Sequence, residues 1–261
     1  MRQILGAVSV LALCFTGYCR GAEEWGDLTA TFIYEGDAPK GDALQVTKDT
    51  ELCSKFDLLD ESLTVNAKNK GIANIVAFVY LAKNATKPAV HPSYQASRTA
   101  KIKLDNNCCR FAPHVAMLRT SQTLLMTNSD AVAHSCKIDT LSNPPINTTI
   151  PPDGNLEHSF LIEERLPAKV SCALHPWMSG YLVIRELPYM GVSDENGKLE
   201  IKNLPVGKWT FQFWHERRGN VRQVQLGGKA TEWTKGRVDL TIKPGANALG
   251  EIKLMPAVFT E

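Results

Sequence analysis

The chain has 261 residues and a formal net charge of +2, and its lysine and arginine side chains are spread along the sequence rather than clustered. A nearly neutral charge without a basic stripe argues against nucleic acid and anionic membranes as partners. With 44% hydrophobic residues, the chain has enough apolar side chains for one large β domain or two small ones.

The first 22 residues have the pattern of a secretory signal peptide. Met1-Arg2 is positively charged, Ile4–Phe15 is an apolar run, and the small residues Gly21 and Ala22 follow. This run is too short for a membrane span, and no other run approaches the roughly 20 apolar residues that a span needs. We therefore predict a periplasmic or secreted protein with no transmembrane segment, in an oxidising compartment.

The pattern of the chain before residue 185 predicts short strands. Leu28–Tyr34 alternates apolar and polar residues, and Ile75–Leu81 is a continuous β-branched and aromatic run that suits a strand buried on both faces. Asp49–Leu59 is the only helix candidate, and a short one. Four further runs are predicted strands: Ala100–Leu104, Ser121–Thr127, Leu161–Val170 and Tyr181–Ile184.

The C-terminal part has clearer turn signals. Asn196-Gly197 is a hairpin-type turn, and Leu204–Gly207 contains a second turn. Lys208–Trp214 then alternates as a half-buried strand, and the last strands are predicted at Val238–Ile242 and Gly250–Leu254.

One short segment, Cys172-Ala-Leu-His175-Pro-Trp-Met178, carries the most chemical information. A Cys thiolate and two His imidazoles with a weak axial thioether form the ligand set of a blue-copper site. The sequence offers the second imidazole upstream, at His134. Zinc is the rival metal, but Met is a poor zinc ligand, and structural zinc sites favour several Cys or His side chains.

The C-x-x-H-x-x-M loop resembles the copper loop of the cupredoxins, the blue-copper proteins of the amicyanin and plastocyanin type. The resemblance implies one type 1 copper site with His134, Cys172, His175 and Met178 as ligands. Asn128, six residues before His134, would be the polar brace between the two ligand loops. Ser135 stands where the family usually has Asn.

His114 has three interpretations from sequence. It could lie behind the ligands of the copper site, contact the copper loop, or be a structural His with satisfied hydrogen bonds. His215, next to Glu216, is expected to end a strand rather than to bind metal.

The resemblance also implies a function, which is to carry single electrons between redox partners without enzymatic turnover. His175 would be the exposed edge for electron transfer, and Pro176 and Trp177 would form an apolar docking surface for a cytochrome or dehydrogenase type of partner. Two alternatives stay open. One is a copper-binding or copper-handling protein without an electron-transfer role, and the other is a β-sandwich module for adhesion or carbohydrate association.

A second resemblance concerns the segment after the copper loop. The series D-x-N-G-x-x-x-I-x-x-L-P-x-G-x-W, starting at Asp194, is similar to transthyretin-like domains found beside carboxypeptidases. The second resemblance implies a transthyretin-like domain (189–261), which the N-terminal strand could complete. Together with the observations above, the expected division is a signal peptide (1–22), an N-terminal β segment (23–98), a cupredoxin-like copper domain (99–188) and this C-terminal domain. The expected fold is all-β, with a cupredoxin Greek-key β-sandwich and a second small β-sandwich.

Of the seven cysteines, two lie in the signal peptide and Cys172 is assigned to the metal. The remaining four permit two disulfides in an exported protein. We expect Cys53 to pair with Cys109 and Cys108 to pair with Cys136. Sequence does not fix the connectivity, and buried free thiols are an alternative.

Overall fold

The computed structural model describes residues 24–260. This part of the chain is nearly all β, with 48% of its residues in strands and 6% in helices, so the all-β prediction is confirmed. The predicted signal peptide lies outside the described residues. Between Glu24 and Thr260, no helix has the length and apolar character needed to cross a membrane.

Nineteen strands lie within residues 24–260: β1 Trp25–Tyr34, β2 Val76–Val79, β3 Lys101–Asn107, β4 Arg110–Ala112, β5 Val115–Arg119, β6 Thr123–Asn128, β7 His134–Asp139, β8 Ile146–Ile150, β9 Asn155–Ser159, β10 Ala168–Ser171, β11 Ser179–Arg185, β12 Met190–Val192, β13 Lys198–Pro205, β14 Gly207–His215, β15 Gly219–Asn220, β16 Gln223–Leu226, β17 Lys229–Glu232, β18 Arg237–Ile242 and β19 Gly245–Leu254. The single α-helix in this part of the chain, α1, spans Thr50–Cys53. Three 3-10 helices span Pro92–Tyr94, Thr234–Gly236 and Pro256–Phe259.

Strands from both ends of the chain form the first β-sandwich. Sheet 1 has the order β13-β1-β19-β16-β17, and sheet 2 has the order β12-β2-β14-β15 with β18 paired to β14. β1 is antiparallel to β13 and parallel to β19. Its side chains alternate between buried and half-buried positions along all ten residues, because successive side chains of a strand point to opposite faces. The core between the two sheets includes Phe32, Ala77, Leu199, Phe211 and Ile252.

The middle of the chain forms the second β-sandwich. Sheet 3 has the order β5-β11-β10-β7-β8, and sheet 4 has the order β4-β3-β6-β9. β5 pairs in parallel with β11, and β3 pairs in parallel with β6. The core between the sheets includes Leu104, Leu118, Met126, Val170 and Ile184. This sandwich carries all four of the predicted metal ligands.

The two sandwiches pack against each other through sheets 2 and 3. In β2, Ala77 and Val79 face the core of the first sandwich, whereas Val76 and Phe78 pack against Val183 of β11. All four residues of β2 are buried. The prediction of a strand buried on both faces is therefore confirmed. β2 is buried on both faces because its sheet lies inside a stack of four sheets, with sheet 1 on one side and sheet 3 on the other.

The predicted strand Leu161–Val170 is wrong over most of its length. Only β10, which begins at Ala168, has strand structure in this region, and Leu161 is 88% exposed. The Asn143 side-chain oxygen accepts hydrogen bonds from the backbone N–H groups of Leu161 and Ile162, both at 3.1 Å. These bonds use the donors that a strand ladder would need, so the segment forms a loop.

Replacing Phe78 with Ala should destabilise the protein by about 3–5 kcal/mol, because the side chain is 1% exposed and fills the contact between the sandwiches. Chemical denaturation would measure this change. Leu141→Ala is the control, since Leu141 is 89% exposed and its loss should change stability by less than about 0.5 kcal/mol. Equal effects of the two changes would contradict the four-sheet packing.

Candidate metal centre

The loop between β10 and β11 brings three side chains to one end of the second sandwich. The Cys172 N–H donates to the Met178 carbonyl at 3.3 Å, and the Met178 N–H donates to the His175 carbonyl at 2.9 Å. These bonds turn residues 172–178 back on themselves. Both Cys172 and Met178 belong to the core of the sandwich.

The fourth predicted ligand, His134, begins β7 after a turn that Asn128 fixes. The Asn128 side-chain nitrogen donates to the carbonyls of Val132 (2.8 Å) and Ile150 (3.0 Å), and its side-chain oxygen accepts from the Asp130 N–H (3.0 Å). Because this turn is tied to the neighbouring strand, His134 starts β7 with a fully buried side chain.

The potential ligand atoms of His134, Cys172 and His175 all lie within 4.8 Å of one another, and all three residues are buried. The Cys172 Sγ is 3.7 Å from His175 Nδ1, and the two imidazole ring centres are 4.5 Å apart. Met178 is 2% exposed. The structure thus brings together one sulfur and two nitrogens that are separated by up to 41 positions in the chain (His134 to His175).

A carboxylate holds the outer nitrogen of each imidazole. His134 Nε2 is 2.9 Å from Asp130 Oδ2, and His175 Nε2 is 2.8 Å from Asp49 Oδ2. His134 Nδ1 is buried and has no hydrogen-bond partner among the described residues. Metal-binding His side chains usually donate the other ring N–H to a carboxylate or carbonyl, so this arrangement fits a bound metal ion. A buried nitrogen without a partner is costly unless it serves such a role.

Ser135, rather than Asn128, ties the two ligand loops together. The Ser135 N–H donates to Cys172 Sγ (3.2 Å), its hydroxyl lies 3.6 Å from the same sulfur, and it accepts a bond from the Ala173 N–H (2.6 Å). The bonds of the Asn128 side chain stay within its own turn and the adjacent strand. The expectation that Asn128 bridges the loops is therefore wrong, because its side chain is used up by the turn before His134.

The polar surroundings of Cys172 favour its thiolate. Burial alone would raise the pKa of Cys172, but the contacts with His134, Ser135 and His175 lower it to about 6. For His134 the effects have the opposite signs. Burial alone would lower the pKa of His134, but its interactions with Asp130 and Cys172 raise it to about 9. The thiolate is the form of Cys that binds metal.

A second cluster of potential ligands, Cys109 with Asp130 and His134, does not form an independent site. The Cys109 sulfur is bonded to Cys53. The Asp130 carboxylate accepts N–H groups of Cys108 (2.7 Å) and Cys109 (2.8 Å) in addition to His134. This cluster therefore serves to orient the His134 ring.

Of the two expected disulfides, the structure contains Cys53–Cys109, with a Cα–Cα distance of 5.6 Å. The expected Cys108–Cys136 pair is wrong, since both cysteines are free. Cys136 is buried within β7 and the core of the second sandwich, whereas Cys108 lies half-exposed in the turn between β3 and β4. The sequence pattern does not distinguish a core thiol from a paired one.

The expected exposed edge at His175 is also wrong. His175 has no exposed surface, because Asp49 covers its outer nitrogen and the Trp177 ring packs 5.1 Å from its own. Trp177 is half-buried and donates its ring N–H to the Cys109 carbonyl (3.2 Å). Pro176 is exposed. Of the two predicted docking residues, only Pro176 lies on the open surface.

His114 does not belong to the ligand cluster. Its Nε2 lies 2.7 Å from a Glu216 oxygen, and its Nδ1 lies 3.7 Å from a Glu61 oxygen. Burial alone would lower the pKa of His114, but its interactions with the Glu216 and Glu61 carboxylates raise it to about 9. The side chain joins the second sandwich to the residue after β14, where His215 ends the strand as expected.

Sequence reasoning missed the two carboxylates, Asp49 and Asp130. Asp130 could have been found from its position four residues before His134 and two after Asn128. Asp49 is 126 residues from His175, and no local pattern connects the two.

Comparisons with protein-family models and with curated proteins find no match. Among solved structures, a purple cupredoxin from Nitrosopumilus maritimus is 23% identical over 33% of this chain and 98% of that chain, with a TM-score of 0.27. A mutant of amicyanin in the Cu(I) state is 15% identical over 33% of this chain and 82% of that chain, with a TM-score of 0.30. The copper-containing nitrite reductase from Thermus scotoductus SA-01 is 17% identical over 42% of this chain, with a TM-score of 0.30, and the match spans only 25% of that chain. At these values the likeness carries no functional argument.

The His114 cluster predicts a pH-dependent stability. The folded pKa of about 9 lies above the ordinary value of about 6.5. Protonated His114 therefore stabilises the fold fully below about pH 6.5, and this contribution is lost as the pH rises to about 9. Over this pH range, the free energy of unfolding of the wild type should fall by at most about 1.4 kcal/mol per pH unit because of His114. The His114→Gln variant should not show this decrease. Parallel curves for the two proteins between these pH values would contradict the prediction.

Proposed function

We propose that the protein is an exported type 1 copper protein that carries single electrons between redox partners. The observation that supports the proposal most is the buried convergence of His134, Cys172 and His175 within 4.8 Å. A Cys with two His side chains and a weakly bound Met is the ligand set of electron-transfer copper sites.

The residues present fit that role. Cys172 Sγ and the Nδ1 atoms of His134 and His175 would hold the ion, because the Nε2 atom of each imidazole is already bound to a carboxylate. Met178 would supply the thioether from within the same loop. Copper bound to this set would supply one-electron exchange between its Cu(I) and Cu(II) states.

The surrounding chain would keep the ligand geometry unchanged during that exchange. The Ser135 N–H bond to Cys172 Sγ at 3.2 Å fixes the sulfur and withdraws electron density from it. Hydrogen bonds to a ligating sulfur and a hydrophobic surrounding control the potential and the access of solvent. The β-sandwich core around Cys172 and Met178 excludes water and resists rearrangement of the loop.

His175 is buried, but the residues that directly follow Cys172 and His175 in the chain, Ala173 and Pro176, are exposed. We propose that a redox protein partner, of the cytochrome or dehydrogenase type, docks transiently at this surface. Small interfaces are typical of electron-transfer encounters. Export to the periplasm or outside the cell is supported by the Cys53–Cys109 disulfide, because structural disulfides persist in oxidising compartments.

The covered edge of His175 favours one second candidate, a copper-handling protein without an electron-transfer role. An ion bound to His175 would be shielded from a partner on that side, because Asp49 and Trp177 cover the outer part of the ring. Slow release and retention of copper, rather than rapid electron exchange, would then be the selected property.

Cys172→Ser should abolish an intense absorption band at the red end of the visible spectrum when Cu(II) is added to the mature protein. The band requires the Cys172 thiolate, and a hydroxyl does not replace it as a ligand. Cys108→Ser is the matched control, because Cys108 is also a free thiol but lies outside the ligand cluster.

Each outcome of this titration separates the candidates. A red band that persists in Cys108→Ser and disappears in Cys172→Ser supports the type 1 site. Stoichiometric Cu(I) binding without the band in the wild type supports copper handling. Absence of stoichiometric copper in the wild type contradicts both.

A further inference from the structure

Residues 43–59 form a loop that closes on itself and lies over the candidate metal site. Ala43 and Leu59 form an antiparallel bridge at its base, where the Leu44 N–H donates to the Leu58 carbonyl at 2.9 Å. We call these residues the cover segment. Loops whose ends meet and whose own side chains fill them are compact and often functional.

The cover segment is attached to the second sandwich by its own small apolar cluster. Cys53 and Leu58 are buried with Cys109, and Trp177 of the ligand loop packs against the same cluster. The remaining members are half-buried: Leu44, Val46, Leu52 and Phe56. The cover segment therefore contacts the ligand loop directly.

Asp49 has an unusual conformation for a residue at its position. It precedes α1 as the N-cap, with φ 47° and ψ 42°, yet its side chain makes no capping bond. An Asp at an N-cap normally accepts a backbone N–H of the first helical turn. Here the carboxylate instead lies 2.8 Å from His175 Nε2. A left-handed non-Gly residue that gives up its local bond for a distant one indicates a functional constraint.

The Cys53–Cys109 disulfide links the groups that orient both imidazoles. On one side, the Cys53 N–H donates to the Asp49 carbonyl at 2.9 Å. On the other side, the Cys109 N–H donates at 2.8 Å to Asp130 Oδ2, the same oxygen that lies 2.9 Å from His134 Nε2. One covalent bond therefore joins the two carboxylate supports.

We propose that the cover segment regulates access to the metal site: Asp49 positions the His175 imidazole, and the Cys53–Cys109 disulfide holds Asp49 in place over it. The geometry of this arrangement stands on the described contacts alone. Its consequence for copper rests on the proposed function, because it treats His175 as a ligand.

The first test uses metal-free mature protein and proton–nitrogen correlation NMR of the His side chains. In the wild type, the His175 Nε2–H should exchange slowly with water, since it is buried and bonded to Asp49. Asp49→Ala should abolish this protection, and Asp49→Asn, which keeps an oxygen acceptor, should restore it. Glu51→Ala is the matched control, because Glu51 is an exposed acidic residue of α1. Retained protection in Asp49→Ala would overturn the positioning role.

The second test removes the disulfide by the double change Cys53→Ser with Cys109→Ser. Alkylation of Cys172 by iodoacetamide in metal-free protein, resolved by mass spectrometry of its peptide, should become at least about tenfold faster as the cover segment opens locally. Cys136 is an internal control, because it is equally buried but lies in the middle of β7. Equal acceleration at both cysteines, or none at Cys172, would overturn the proposed clamp.

The third test separates this proposal from the proposed function. Release of Cu(II) to EDTA should be about 10–100-fold faster from Asp49→Ala than from the wild type, the range expected when a support of a ligating His is removed. Equal release rates from the two proteins would overturn the consequence for copper. If the wild type binds no copper, the proposed function and the consequence for copper fail. The NMR and alkylation results still decide whether Asp49 positions His175 and whether the disulfide limits access to Cys172.

Discussion

The site depends on the need to satisfy polar side chains that are buried at the end of a hydrophobic core. His134 and His175 have no exposed surface, and Cys172 is 3% exposed. Burying such groups is costly unless each finds a partner. The chain meets this requirement with Asp130, Asp49 and Ser135, which hold the outer nitrogens and the sulfur. The sulfur and the inner nitrogen of each imidazole then remain as potential metal ligands, and the three ligand atoms lie within 4.8 Å of one another.

Local patterns in the sequence were sufficient for the core of this arrangement. The C-x-x-H-x-x-M spacing works because seven residues between two paired strands must turn back, which brings the first and fourth side chains together and leaves the last one in the same apolar core as the first. The alternating pattern of β1 correctly predicted a strand that is buried on one face. The continuous apolar run of β2 correctly predicted a strand that is buried on both faces. Features that depend on contacts between distant segments were not predictable. Asp49 reaches His175 across 126 residues, and the loop after Phe160 is held by an Asn side chain rather than by a strand ladder.

The correction at His175 has one physical cause. A cupredoxin-like reading places the C-terminal His ligand at an open edge, but here residues 43–59 occupy that edge. These residues precede the second sandwich in the chain and carry no signal of metal chemistry. Their attachment rests on a disulfide and a few apolar side chains, which is a small interface compared with the core of either sandwich. The part of the site that is least stabilised by packing is therefore the part that covers it.

The order of the strands also has a consequence for biosynthesis. The second sandwich is complete once the chain reaches Arg185, at the end of β11, whereas β1 finds its two neighbours only in β13 and β19. During vectorial synthesis or export, the inner unit would be able to close first. β1 would then stay unpaired until β13 and β19 have emerged. A strand with one apolar face that stays unpaired this long is a target for chaperones.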